Sequence, residues 1–231
     1  MKNRVTFVTI KKKWIILSFI LVFIAILLCF LPKVVKSSSP QAKYTVVIDA
    51  GHGGKDGGSV GGTFGTIEKE INLKYAFCLK DTMQQFGFKV VMTRTTDSGL
   101  YDESAPNKKR DDMKKRKQII LNSNADFVIS LHMNSFPDKS ACGAETYYCR
   151  GSESGEKLAG SIQKNFHKTL PNAKALPKCG EFFMLEQIPC PSVLIECGFL
   201  SNAEEEKNLI DKTYMQSLCY QILLGVLEYL E

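Results

Sequence analysis

The sequence predicts an α/β domain, a mostly parallel twisted sheet with helices on both faces, preceded by one N-terminal transmembrane helix. Three observations carry this reading. Short apolar runs alternate with longer stretches of helical periodicity over residues 44–231. Most of those runs are too evenly hydrophobic for strands with one wet face, which points to a parallel sheet covered on both sides. Finally, Trp14 to Leu31 runs 18 residues without a charge, close to the roughly 20 needed to cross a bilayer.

Lys11, Lys12 and Lys13 stand directly before that apolar segment. By the positive-inside rule they place residues 1–13 in the cytoplasm as a basic leader and everything after the span outside it. Pro32-Lys33-Val34-Val35-Lys36 follows where a small-residue cleavage site would be needed. An uncleaved anchor over 14–31 is therefore favoured over a signal peptide that is removed. Residues 32–43, with the polar stretch Ser37 to Lys43, form a linker, and 44–231 the folded domain. The whole chain carries +6, but residues 1–36 hold seven basic residues and no acidic one, so the remainder is close to neutral at −1. No electrostatic case for nucleic acid is left. Of eight cysteines, Cys29 falls in the apolar segment, and the other seven contain no CxxC pair. Their odd number leaves at least one thiol free and gives no zinc-finger spacing.

Within the domain, Tyr44 to Ala50, Phe88 to Arg94, Asp126 to His132 and Ser192 to Glu196 read as buried strands, and Ala144 to Cys149 as a strand nearer an edge. Glu68 to Phe86, Asp111 to Asn124, Glu153 to Leu170 and Ala203 to Leu230 read as helices with polar faces. The run Lys108 to Lys117 (KKRDDMKKRK) has seven basic residues in ten. It reads as a helix start with a solvated face, with contact to an anionic polymer as the alternative.

Ligands of such sheets gather beyond the carboxyl ends of the strands. Three strand ends are chemically unusual. Asp49-Ala50-Gly51-His52-Gly53-Gly54-Lys55-Asp56-Gly57-Gly58 embeds a histidine in glycines. It fails as a Walker loop, because Asp56 follows Lys55, and as a dinucleotide fingerprint, because Asp56 replaces the third glycine. The second end closes on His132 and the third on Glu196. Two imidazoles and a carboxylate converging on one crevice form the ligand set of a catalytic zinc site, with a position left for water. Glu68, at a predicted helix start, is a second candidate carboxylate, and the residues alone do not decide between it and Glu196 as ligand or general base, or between Glu68 and Glu70. His167, within a polar helix, reads as a surface residue.

The motifs VVIDAGHGGKDGG, EKEINL, VVMTRTTD, ADFVISLHMNS and PSVLIECGFLSN occur in this order. In them the sequence resembles the zinc-dependent N-acetylmuramoyl-L-alanine amidases of the amidase 3 type, from about Tyr44 to Leu230. The resemblance implies that His52, Glu68 and His132 bind Zn2+, that Glu196 is the catalytic base and that Glu70 has no metal role. The implied reaction is hydrolysis of the amide between the lactyl group of N-acetylmuramic acid and L-alanine in peptidoglycan. Water is the expected nucleophile, since no third histidine is placed to activate Cys197. Lys178, Gly180 and Phe183 fall where the family lines its substrate groove. Some members carry a blocking helix between the second histidine and the catalytic glutamate. The 64-residue interval here is filled by one strand, one helix and Pro177 to Leu185, so an open site, or control by a separate activating protein, is expected. No wall-binding repeat is appended, so the anchor is expected to do the targeting, as in the sporulation-type members that act on spore cortex. That implies a location on the outer face of the membrane, with the membranes surrounding the forespore as the expected site. General wall turnover, daughter-cell separation and a stem-peptide peptidase are the rival readings.

Overall fold

The computed structural model describes residues 11–14, 16, 19–23 and 42–231, in two units, Met1–Pro40 and Gln41–Glu231. In the first, residues 12–14, 16 and 19–23 are helical and exposed. No helix among the described residues is long and apolar enough to cross a membrane. The segment 14–31, expected as a spanning helix, lies largely outside them, as does the linker 32–43 except for its last two residues.

The second unit is a six-stranded sheet with five helices. In chain order it runs β1 (Thr45–Ala50), α1 (Glu68–Gln85), β2 (Lys89–Met92), α2 (Lys108–Asn122), β3 (Phe127–Asn134), β4 (Glu145–Cys149), α3 (Glu153–Thr169), β5 (Lys178–Gly180), β6 (Ser192–Phe199), α4 (Ala203–Ile210) and α5 (Lys212–Leu230). The strand order is β2-β1-β3-β6-β4-β5. The sheet is mixed. β2, β1, β3 and β6 pair in parallel, β4 runs antiparallel to β6, and β5 is parallel to β4. The reversal has a simple cause: after β3 the chain returns along the outer side of β6 without a crossover helix, so β4 points the other way.

Alternation along the central strands separates two apolar layers. Val46, Ile48 and Ala50 face one way and pack with Tyr75, Leu79 and Met83 of α1, within a core shared with Leu158, Ile162 and Phe166 of α3 and Leu218, Ile222 and Val226 of α5. Val47 and Val128 face the other way, against Ile120 of α2 and Met184. Helices thus cover both faces. Gly225 sets the spacing of α3 and α5, since a Cβ there would stand 2.5 Å from the backbone of Ile162.

Strand ends shift by up to three residues from the sequence reading, and other differences have a local cause. Helix α2 begins at Lys108 instead of Asp111, because the Asn107 side chain accepts from Arg110 N and caps it there. The expected helix over 203–230 is two, because extended Asp211 ends α4 and caps α5 at Tyr214 N. The short strand β5 lies inside the segment read as groove.

Candidate active site

His52, Glu68, His132 and Glu196 come together at the carboxyl ends of β1, β3 and β6. Parallel pairing of β3 with β6 sets His132 directly beside Glu196. Glu68 opens α1 and faces them. Its Oε1 lies 3.0 Å from His52 Nε2 and 3.0 Å from His132 Nδ1. Backbone N–H groups complete its seat: Ser59 donates to Oε2 at 2.7 Å and Met133 to Oε1 at 3.3 Å. Burial pushes the Glu68 carboxyl up, but the hydrogen bonds and charges of His132 and His52 outweigh it and hold the group well below the usual carboxylate range. His52 feels the reverse: burial pulls it down, yet Glu68 and Asp56 raise it above an ordinary histidine. Glu70 is exposed and belongs to none of this.

The glycines of the first motif now have a physical purpose. A Cβ on Gly51 would collide with the His132 ring, and one on Gly58 would lie 2.5 Å from Glu68 Oε2 and 2.8 Å from His52 Cδ2. Gly58 also has φ +66°, which favours glycine. These two positions form a cradle into which the three side chains fit. The donor atoms of His52, Glu68 and His132 lie within 4.8 Å of one another. Two imidazole nitrogens and one carboxylate oxygen suit a borderline cation such as Zn2+.

His52 has φ +60°, a costly conformation for a residue with a side chain. Two buried arginines hold it. Arg116 donates to the carbonyls of Ala50 and His52 and pairs with Asp49 at 3.1 Å and Asp112 at 2.5 Å. Arg94 donates to Ala50 O at 2.8 Å and Gly51 O at 3.0 Å, and Asn72 also reaches Gly51 O. Farther along, the wholly buried Glu206 of α4 accepts from the amides of Thr63, Phe64 and Thr66, tying down the loop between β1 and α1. Asp56 Oδ2 stands 3.0 Å from His52 Nδ1, so Nε2 is the nitrogen turned inward.

Glu196 differs from Glu68. Its Oε2 is buried without a hydrogen-bond partner, and burial, helped by the Glu68 and Glu145 charges against the pull of the histidines, pushes the carboxyl up to about 7. Glu145 sits opposite it on β4 and is itself clamped by Lys178 Nζ and Tyr147 Oη, each at 2.7 Å. Lys178 therefore serves Glu145. Gly180 ends β5, with the Phe182 ring closely over it. Phe183 lines an apolar cavity that joins the histidine pocket. His167 is exposed, as read from its helix.

Sequence reasoning missed Arg94, Arg116, Asp56, Asn72 and Glu145. Arg116 had a signal: Asp112, Arg116 and Ile120 recur every four residues and form the buried stripe of α2. Most of the basic run is engaged. Lys108 pairs with Glu103, Lys109 with Asp56 and Lys115 with Asp102, while Lys117 lies over the Phe183 ring.

The fold and this constellation fit the class of hydrolases built on a His-Glu-His group able to hold a metal ion beside an adjacent carboxyl. Residues 46–228 match the family model described as N-acetylmuramoyl-L-alanine amidase, Amidase_3. The chain belongs to that family. It is 33% identical over 229 residues to the germination-specific N-acetylmuramoyl-L-alanine amidase of Bacillus subtilis, with 95% of each chain covered. Among solved structures it resembles the CwlD amidase of Clostridioides difficile in complex with the GerS lipoprotein, at 36% identity and a TM-score of 0.77, over 81% of this chain and 98% of that one. An N-acetylmuramoyl-L-alanine amidase from Clostridium difficile 630 gives 33% identity and a TM-score of 0.72, over 82% and 97%. Between β3 and β6 the chain forms β4, α3 and β5 and no further helix that could cover the site.

Proposed function

We propose that this amidase uses Zn2+ held by His52 Nε2, Glu68 Oε1 and His132 Nδ1, with Glu196 as the general base. The observation that carries the proposal is the convergence of those three donors beside the unpaired, raised carboxyl of Glu196. Bound zinc would polarise the lactyl carbonyl and acidify a water molecule. Glu196 takes a proton from the attacking water and returns it to the alanine nitrogen as the C–N bond breaks. A carboxyl with a pKa of about 7 suits both duties at neutral pH. Glu68 stays anionic, and Asp56 keeps the His52 ring oriented. Cys197 is fully buried and its thiol is pushed far up by burial and by the Glu196 charge, so it supplies no nucleophile.

The substrate is peptidoglycan carrying stem peptides. Similarity to a germination-specific amidase over almost the whole chain supports a role in spore cortex, and the complex of the Clostridioides difficile relative supports a lipoprotein partner. The uncharged run at 14–31 behind three lysines supports anchorage with the domain outside the cytoplasm. Of the expected groove residues, Phe183 lines the cavity beside the histidines and Lys178 acts through Glu145.

The test is metal analysis of the full-length protein and mass spectrometry of peptidoglycan digests, beside Glu196→Gln. New L-alanine amino termini with intact muramic acid are expected from wild type and not from the variant, with zinc bound in both. A cut inside the peptide would assign a peptidase instead.

A further inference from the structure

We propose that Lys109 is a specificity-determining residue that binds a carboxylate of the stem peptide next to the scissile amide. This rests on the amidase reading above. The pocket that holds His52, Glu68, His132 and Glu196 is lined by three acidic side chains, the third being Asp56, and by one ammonium, that of Lys109. The same lysine borders the apolar cavity walled by Phe182, Phe183 and Met113, and the side cleft under Tyr101. It therefore stands where the pocket divides, within reach of whatever projects from a chain lying across the metal-binding group.

Its present partner is weak. Lys109 Nζ is 3.1 Å from Asp56 Oδ2, and the two side chains are 60% and 30% exposed. An exposed pair of this kind contributes little, so the ammonium is available to a better acceptor at small cost. Asp56 holds it near the site: one carboxylate oxygen separates the lysine from the His52 ring. Two other cations of the basic run are committed elsewhere, Lys108 to Glu103 and Arg116 to buried Asp49 and Asp112.

The substrate has a group to match. The residue after L-alanine in the stem peptide is a γ-linked glutamate, and its α-carboxyl, one residue from the bond that breaks, is either free or amidated. Among the side chains lining this pocket Lys109 is the one ammonium, placed beside the metal-binding group and not within it, so it can receive a carboxylate one residue away from the bond held at the metal.

The experiment compares two disaccharide-peptide probes that differ only at this position, free α-carboxylate against α-carboxamide, cleaved by zinc-loaded full-length wild type, Lys109→Gln and Lys109→Arg. Wild type is expected to show a KM about fivefold lower for the acid probe, consistent with one charge-assisted hydrogen bond at a partly exposed site. Lys109→Gln should raise KM for the acid probe and abolish the preference, and Lys109→Arg should restore it. Zinc content should be equal in all three, which separates substrate recognition from a disturbed His52. An acid-to-amide ratio unchanged in Lys109→Gln overturns the proposal alone. Cleavage of neither probe by zinc-loaded wild type, assayed together with its lipoprotein partner, overturns the amidase reading and this proposal with it.

Discussion

Replacing Gly51 by alanine should weaken metal binding sharply while sparing the fold. Gly51 needs no left-handed backbone, so alanine is conformationally acceptable there. The obstacle is spatial. The new methyl would stand 2.7 Å from Cδ2 of His132, and closer still to Cε1 and Nε2, where carbon atoms normally sit about 3.5–4.0 Å apart. The imidazole must retreat by about 1 Å or more. Disturbing the orientation of a metal ligand costs about 10–100-fold in metal affinity, or about 1.4–2.8 kcal/mol at 1.4 kcal/mol per decade. Stability of the metal-free protein should fall by only about 1–3 kcal/mol, as for other overpacked sites. Competition against a fluorescent zinc chelator measures the first quantity and urea unfolding the second. Gly57→Ala is the control, because its nearest neighbour would be Ile67 Cγ2 at an ordinary 3.8 Å. If Gly51→Ala bound zinc within threefold of wild type, the cradle argument would be wrong.

Further expectations follow from the same geometry. Glu196→Gln should lower kcat by about 10²–10⁴ with zinc retained, as stopped digests and metal analysis would show. Arg116→Met leaves Asp49 and Asp112 buried without their partner. It should cost about 3–5 kcal/mol, read as a fall in the urea midpoint. Because Glu68 and Asp56 raise His52 above 6.5, its proton competes with metal at higher pH than for a free histidine. Zinc affinity should therefore weaken as pH falls through that raised value and be fully expressed only above it; a titration flat from pH 8 to 5 would contradict this. Gly225→Ala should force α3 and α5 apart and cost about 1–3 kcal/mol, with unchanged zinc affinity, since the contact lies in the core behind the sheet.

Much of this was legible in the sequence because burial writes itself as pattern. The runs that became β1, β3 and β6 are apolar on both faces, and each ends on a chemical residue, so strand and site were read together. Strand direction was less accessible: nothing in ETYYC distinguishes a strand antiparallel to β6 from a parallel one, because its orientation depends on where the chain returns. The break at Asp211 was hidden inside apolar periodicity that continues through both helices. Arg116 was obscured by composition. Six basic neighbours made it look solvated, whereas its i, i+4 relation to Asp112 and Ile120 puts it under the loop that presents His52. Glu145 gave no local signal, since its importance comes from a cross-strand partner 51 positions later, Glu196.

The Glu206 clamp has a consequence for how the protein is made. Its carboxylate is 140 to 143 residues further along the chain than the loop amides it holds. His52, Glu68 and His132 therefore leave the ribosome well before the group that fixes the loop between two of them. A nascent chain cannot clamp the loop between its metal donors until α4 has been synthesised. The metal centre is therefore fixed only once α4 has been made and docked, which ties the onset of activity to that helix.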